Sequence, residues 1–280
     1  MSPISNEDAG ASCKIIALAN QKGGVGKTTT AINLGTALAA VGRKTLLIDI
    51  DPQGNASTGV GIPASERVRS TYELLSGDCT LFDVVRTTDV PGLSLAPGTV
   101  DLSGIDVELI SDPTRSTRLK DALRPGSGPS ICEDFDYILI DCPPSLNLLT
   151  INAMTASDAV LVPLQCEFFA LEGLSQLLST IERVKHSLNP SLVIQGVVLT
   201  MFDQRNNLSR QVEEDVRDAL GDLVYETVIP RNVRLSEAPS HSVPALIYDH
   251  TCAGSRAYQA LAAELLSQET NRSDADLEVI

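Results

Sequence analysis

The sequence predicts a single α/β domain: a mostly parallel, twisted sheet with helices on both faces. Three observations carry this expectation. Short and almost wholly apolar runs recur, such as Ile15-Ile16-Ala17-Leu18-Ala19 and Leu46-Leu47-Ile48; strands read this way when neither face meets water. Stretches of helical periodicity separate the runs, as expected when each strand is followed by a covering helix. The first run leads straight into a glycine-rich turn, Lys22-Gly-Gly-Val-Gly-Lys27-Thr28-Thr29, and then into a helical pattern.

Taken in order, strands are expected at Lys14–Ala19, Thr45–Asp49, Leu93–Ala96, Tyr137–Asp141, Ala159–Pro163, Val193–Thr200 and Tyr225–Ile229. A helix should follow the glycine turn from Thr28 to about Val41, with Ile32, Leu34, Ala37 and Leu38 on its apolar side and Gly42 as its stop. A second runs from Leu171 to about Leu188 and ends before Asn189-Pro190. A third covers about Leu208 to Leu220, and the last spans Ser255 to about Leu266. Residues 60–130 are broken by Gly61-Ile-Pro63, Pro91-Gly92 and Pro125-Gly-Ser-Gly-Pro129, and predict no long element. Residues 1–12 are expected as a disordered arm, 13–268 as the domain, and 269–280 as a disordered acidic tail.

Composition narrows the class. The hydrophobic fraction of 43% suits a soluble globular chain. No apolar stretch approaches the roughly 20 residues of a membrane helix, and the polar, acidic N-terminus is unlike a secretory signal. The six cysteines are scattered without a C-x-x-C pair, and read as buried apolar residues or free thiols of a reducing cytosol. The three histidines show no metal-ligand spacing. A net charge of −15 opposes non-specific attraction to polyanions, so any contact with DNA needs a local basic patch.

The glycine turn carries the chemistry. Gly23, Gly24 and Gly26, with Val25 between them, let backbone N–H groups close on anionic oxygens because no Cβ obstructs the approach. The helix beginning near Thr28 and Thr29 points its positive end at the same place. Lys27 can reach β and γ phosphates, and the Thr28 hydroxyl can coordinate Mg²⁺. The fold expected is therefore that of a single-domain P-loop NTPase. Where the common pattern has its first glycine, this chain has Gln21, and a second lysine, Lys22, stands at the loop entrance. A solvated cation is the ordinary reading of a loop lysine; beside two glycines at a triphosphate site, phosphate charge dominates the local field.

Two strand ends supply carboxylates. Asp49 and Asp51, in Asp49-Ile-Asp-Pro-Gln-Gly-Asn55, lie two residues apart and face the same side of an extended chain. A strand-end Asp followed by an Asp-Pro turn explains them equally in isolation; beside a magnesium triphosphate, an acceptor there can orient the attacking water. Tyr137-Ile-Leu-Ile-Asp141 is an apolar strand ending in an acid, which puts Asp141 near the Mg²⁺.

Ala19–Thr30, Asp49–Asn55, Asp141-Cys-Pro-Pro-Ser145, Pro163-Leu-Gln-Cys-Glu-Phe-Phe-Ala-Leu-Glu-Gly173 and Ile229-Pro-Arg-Asn-Val-Arg-Leu-Ser-Glu-Ala-Pro239 together resemble the ParA/Soj partitioning ATPases, within the deviant Walker A superfamily. The resemblance covers the chain from Lys14 to about Leu266. It implies slow, partner-stimulated ATP hydrolysis by an ATP-dependent homodimer that closes face to face around two ATP molecules. In that arrangement Lys27 and Thr28 act in cis, Lys22 reaches the partner subunit's phosphates, Asp51 positions water, and Asp49 and Asp141 support the metal. Met201, Pro230 and Asn232 match adenine-pocket positions. Arg205 and Arg234 match arginines that contact DNA without sequence preference, although a solvated face or structural ion pairs explain such arginines more often when they are read alone. A ParB-type centromere-binding protein is the implied partner, with a cytoplasmic, nucleoid-associated location and no membrane. Three rival readings stand beside this one; the first is a binding-only switch that has lost turnover, against which the complete motifs argue. A MinD-like membrane ATPase needs a basic amphipathic terminal helix, and Asn271–Ile280 is mostly polar and acidic. A redox iron-protein relative needs two cluster cysteines at a dimer seam, and Cys142 and Cys166 lack glycine-flanked contexts.

Overall fold

A computed structural model describes residues 13–277 of the chain, with side chains through Asn271. Its sheet has seven strands: β1 (Lys14–Leu18), β2 (Thr45–Asp49), β3 (Arg86–Thr87), β4 (Leu93–Ala96), β5 (Tyr137–Asp141), β6 (Ala159–Gln165) and β7 (Val193–Thr200). They lie in the order β3-β4-β2-β5-β1-β6-β7, all parallel except the antiparallel β3.

Alternation along each strand feeds two cores, one per face. Ile15 and Ala17 of β1, Leu46 and Ile48 of β2, and Ile138 and Ile140 of β5 point to one side. There they meet the Leu148–Ala156, Ala170–Ser187 and Asn207–Leu220 helices through residues such as Leu149, Leu177, Ile181 and Val216. Ile16, Leu18, Leu47 and Leu139 point to the other side, where the Lys27–Ala40 and Ala253–Leu277 helices cover them with Leu34, Leu38, Leu261 and Leu265. Nearly every strand residue is buried, which accounts for the unbroken apolar runs in the sequence.

The order of the strands sets the site. From β1 the chain crosses to β2, then to β4, and returns to insert β5 between β2 and β1. In register, Leu18 lies beside Asp141 and Asp49 beside Asp141, so the carboxyl ends of three central strands converge. Open parallel sheets bind ligands outside this edge.

The structure departs from the sequence expectations at four places. The segment Tyr225–Ile229 is not a strand. Its ends do pair with β7, since the Tyr225 amide donates to the Val197 carbonyl and the Ile229 amide to Leu199. Between them, the Glu264 carboxylate on the last helix takes the amides of Glu226 and Thr227 at 2.7 and 2.9 Å, and the ladder is interrupted. β6 runs on past Pro163 to Gln165. The proline has no N–H to give, but β1 pairs with β6 only as far as Leu161, so no bond is lost. The short β3 was not expected. The last helix continues to Leu277, so 269–277 is helical where a disordered tail was expected. The arm expected over 1–12 lies outside the described residues.

Candidate active site

Each part of the site comes from the end of a strand. After β1, Asn20 anchors the loop entrance: its Nδ2 donates to the Pro163 carbonyl at 2.8 Å and its Oδ1 accepts from the Lys22 amide at 3.0 Å. Gly24 and Gly26 then take positive φ of 76° and 89°, a region that strains any residue with a Cβ. The Val25 carbonyl is held by the Thr200 hydroxyl at 2.8 Å, which ties the loop to the end of β7.

The two lysines of the loop point to different places. Lys27 is buried, with its Nζ 3.0 Å from the Lys22 carbonyl, and burial pulls its pKa down while Asp141 and Asp51 oppose the shift. Lys22 stands at the exposed rim, and its ammonium pairs with Glu167 just past the end of β6. Sequence reasoning assigned no role to Glu167, although it falls in the segment Pro163–Gly173 that carried the resemblance.

The acidic side of the site is held under electrostatic tension. Asp49 is fully buried: Oδ2 accepts the Ser57 amide at 2.8 Å and the Ser57 hydroxyl at 2.6 Å, and Oδ1 accepts the Asp51 amide at 3.2 Å. Burial nevertheless pushes its carboxyl up to about 6, because the Ser57 bonds only partly offset desolvation. Asp141 is also fully buried, and neither of its oxygens has a hydrogen-bonding partner. Burial and the neighbouring Asp49 raise its pKa well above the ordinary range, with the Thr28 hydroxyl and Lys27 pulling weakly the other way. Asp51 is buried too; its Oδ1 accepts the Gln53 amide at 2.9 Å. Gly98 closes the floor, where a Cβ would sit 2.9 Å from the Asp49 carbonyl oxygen. Ser57 and Gly98 lie outside the quoted motifs, and only the folded backbone shows why those residue types are needed.

Orphaned carboxylate oxygens at the end of an apolar strand, beside a threonine hydroxyl, are hard oxygen donors of the kind Mg²⁺ prefers. The residues fit that ion: Asp141 and Thr28 offer oxygens. Asp49, whose oxygens are already occupied, contributes negative charge.

Met201, Pro230 and Asn232 meet as expected in one cavity of about 350 Å³, together with Gly26, Thr29 and Thr200 of the phosphate end. Met201 adopts φ 51°, a rare value for a residue with a side chain. Asn232 caps the Val233–Glu237 helix, its Oδ1 accepting the Arg234 amide at 2.9 Å. Arg205 and Arg234 are both engaged in ion pairs. Arg205, with 91% of its side chain exposed, pairs with Asp203 at 3.0 Å. Arg234 pairs with Glu237 at 2.7 Å and Asp249 at 3.5 Å, and lies over the Tyr248 ring.

Known proteins share this architecture along most of their length. A family model described as an AAA domain matches residues 13–194. The chromosome partitioning protein ParA of Caulobacter vibrioides is 60% identical over 261 residues, covering 92% of this chain and 96% of its own. The sporulation initiation inhibitor protein Soj of Bacillus subtilis is 52% identical, covering 90% and 98%.

The chain belongs to the ParA/Soj family of partitioning ATPases.

As a ParA/Soj protein it is an ATP hydrolase. Among solved structures, cobyrinic acid a,c-diamide synthase from Mycobacterium smegmatis, with bound ADP and magnesium, is 37% identical with a TM-score of 0.78, covering 92% of this chain and 96% of that one. The cell division ATPase MinD of Pyrococcus furiosus is 26% identical with a TM-score of 0.75, covering 91% and 99%. Among the described residues, no helix is long and apolar enough to cross a membrane, and no group of three or more candidate ligands could hold a metal through protein side chains alone.

Proposed function

We propose that this ParA/Soj ATPase is an ATP-driven switch: a magnesium–ATP sandwich homodimer that binds DNA without sequence preference and is reset when a ParB-type partner stimulates hydrolysis. The observation that carries the reading is the divergence of the two loop lysines. Lys27 turns inward among Asp51 and Asp141, where a phosphate bound by the loop's own amides would sit. Lys22 turns outward to Glu167 at the rim, available to a phosphate that approaches from a second subunit.

In this mechanism the amides of Gly23 to Thr28 bind the β and γ phosphates, and Lys27 neutralises charge on the transferred group. Thr28 and Asp141 would hold Mg²⁺, whose positive charge would offset the charge of the phosphates and the repulsion between Asp141 and Asp49. Asp51 is fixed by the Gln53 amide on Oδ1, which leaves Oδ2 to accept from the attacking water and orient it. Adenine takes the cavity lined by Met201, Pro230 and Asn232. The nucleoid is then where the ATP-bound dimer resides.

The test is binding to random-sequence duplex DNA with ATP, with ADP and without nucleotide, over rising salt. Binding confined to ATP and weakened by salt is expected. If Arg205 and Arg234 each touch a phosphate, replacing one by Ala weakens binding equally on all sequences and lowers the log–log salt slope by roughly 0.9. Intact ATPase activity without DNA binding in any state would overturn the DNA reading, and binding of the same ATP-bound protein to anionic vesicles would favour a membrane-positioning switch.

A further inference from the structure

The pairing of β1 with β5 begins at Lys14 and Tyr137, and the Lys14 amide donates to the Asp136 carbonyl at 2.9 Å. This places Cys13, immediately before β1, against Cys132 in the short turn Ile131–Glu133 before β5. The two thiols lie close enough for each to be the largest electrostatic influence on the other. Both line an open cavity of about 720 Å³ at the amino ends of the strands, the edge of the sheet away from the phosphate loop. Cys13 is buried, and Cys132 is half-exposed to the cavity.

The surroundings of Cys132 are built in layers. Its amide donates to Ser130 Oγ at 3.3 Å, and its sulfur lies 3.5 Å from the Leu123 carbonyl oxygen. The Arg124 guanidinium is held by both oxygens of Asp158, at 2.9 and 3.0 Å, and its charge acts on the nearby Cys132. Asp158 in turn accepts the Ile15 amide at 2.8 Å, one residue beyond Lys14. Arginine, the second thiol and the start of β1 therefore form one connected unit.

We propose that Cys13 and Cys132 are a reversible oxidation site, a dithiol that a peroxide converts to an intramolecular disulfide.

The chemistry divides by environment. The neighbouring Cys13 thiol, with Ser130 and Arg124, outweighs partial burial and holds the Cys132 thiol below its ordinary range, which favours its thiolate. Cys132 and burial hold Cys13 above its ordinary range, which favours its protonated form. Lys44 adds positive charge across the cavity; Glu133, Asp134 and Asp136 oppose it. The Cys132 thiolate attacks one oxygen of hydrogen peroxide, the O–O bond breaks, and hydroxide leaves to take up a proton as water. The sulfenic acid that results is attacked by the Cys13 sulfur. An S–S bond forms, the S–O bond breaks, and the departing hydroxide takes the Cys13 proton as a second water. Two thiols lose two electrons and one peroxide becomes two waters. Elsewhere the environment disfavours reaction: burial pushes Cys142 upward and Cys166 up to about 12, and Cys79 is also raised.

The full-length protein is titrated with hydrogen peroxide, quenched with N-ethylmaleimide and mapped without reduction. A Cys13–Cys132 linked peptide should appear before modification of Cys79 and vanish with dithiothreitol. In Cys13→Ser, dimedone should label Cys132. Alkylation of wild-type Cys132 against pH should have its midpoint near 6, against about 8.5 for an ordinary thiol. Lower basicity also reduces intrinsic nucleophilicity, so the midpoint is a sharper readout than the rate. Peroxide levels that oxidise Cys79 without producing the linked peptide would overturn the proposal; so would a Cys132 midpoint above 8.

Discussion

Two buried carboxylates facing each other should make the metal-free protein less stable as pH rises, the opposite of most acid-sensitive domains. Asp49 is held up to about 6 in the folded state against 3.8 when free. Between those values the native state binds more protons than the unfolded chain, so stability falls as pH increases through the window. A shift of about 2.2 units at 1.36 kcal/mol per unit is on the order of 3 kcal/mol; full burial means solvent screening does not discount it. Asp141 is raised in the same direction by burial and by Asp49, and adds to the decline. Carboxylates lowered by their partners, such as Glu73 in its capping box, lose stability only as pH falls below their ordinary range; Cys132, held low, opposes the decline between pH 5 and 7.5, so every protein compared carries Cys132→Ser. The assay is urea unfolding across that range in chelator, repeated with Mg²⁺, for the Cys132→Ser parent and its Asp49→Asn and Asp141→Asn variants. Without metal, Asp49 alone should account for a loss of about 1.4 kcal/mol between pH 5 and 7.5, with Asp141 adding to it. Asp141→Asn should flatten the profile and remove stabilisation by added Mg²⁺. A parent profile that is flat or rises with pH in chelator would refute the reasoning, because the desolvation of the pair would then have to be balanced by a partner the structure does not contain.

Lys22→Ala should impair the ATP-dependent dimer while leaving nucleotide binding largely intact, as judged by light scattering with a slowly hydrolysed ATP analogue; dimerisation at wild-type strength would sink the sandwich. Asp51→Ala should bind ATP and accumulate the dimer with turnover reduced at least 10²-fold, and unchanged phosphate release would remove Asp51 from its role. Leu261→Ala, at a fully buried position between the last helix and the Lys27–Ala40 helix, should cost about 2–5 kcal/mol in urea unfolding. A cost below about 1 kcal/mol would mean that the helix pair is not part of the cooperative core.

Much of the molecule was legible in the residues themselves. Apolar runs without alternation announced a sheet covered on both faces, and six of the seven observed strands begin where those runs begin. The glycine turn, its two lysines and the strand-end acids were visible because phosphate and metal chemistry demands particular residue types at fixed local spacing. The misses share a cause. Glu264 interrupts the segment Tyr225–Ile229 from a helix far along the chain, and no local pattern encodes that bond. The continued helix to Leu277 was hidden because polar composition reads as disorder when the helix it prolongs is not yet known.

Local sequence thus determined the phosphate loop, the candidate acids and the two-faced sheet, since each depends on residue type and spacing within a few positions. Tertiary structure alone decided what those groups experience. Strand order inserted β5 beside both β1 and β2, which set Asp141 against Asp49 and left its oxygens without protein partners. The same insertion brought Cys13 to Cys132 at the opposite edge. Electrostatic environment is a sum over neighbours in space, and parallel pairing makes neighbours of residues that the chain keeps far apart.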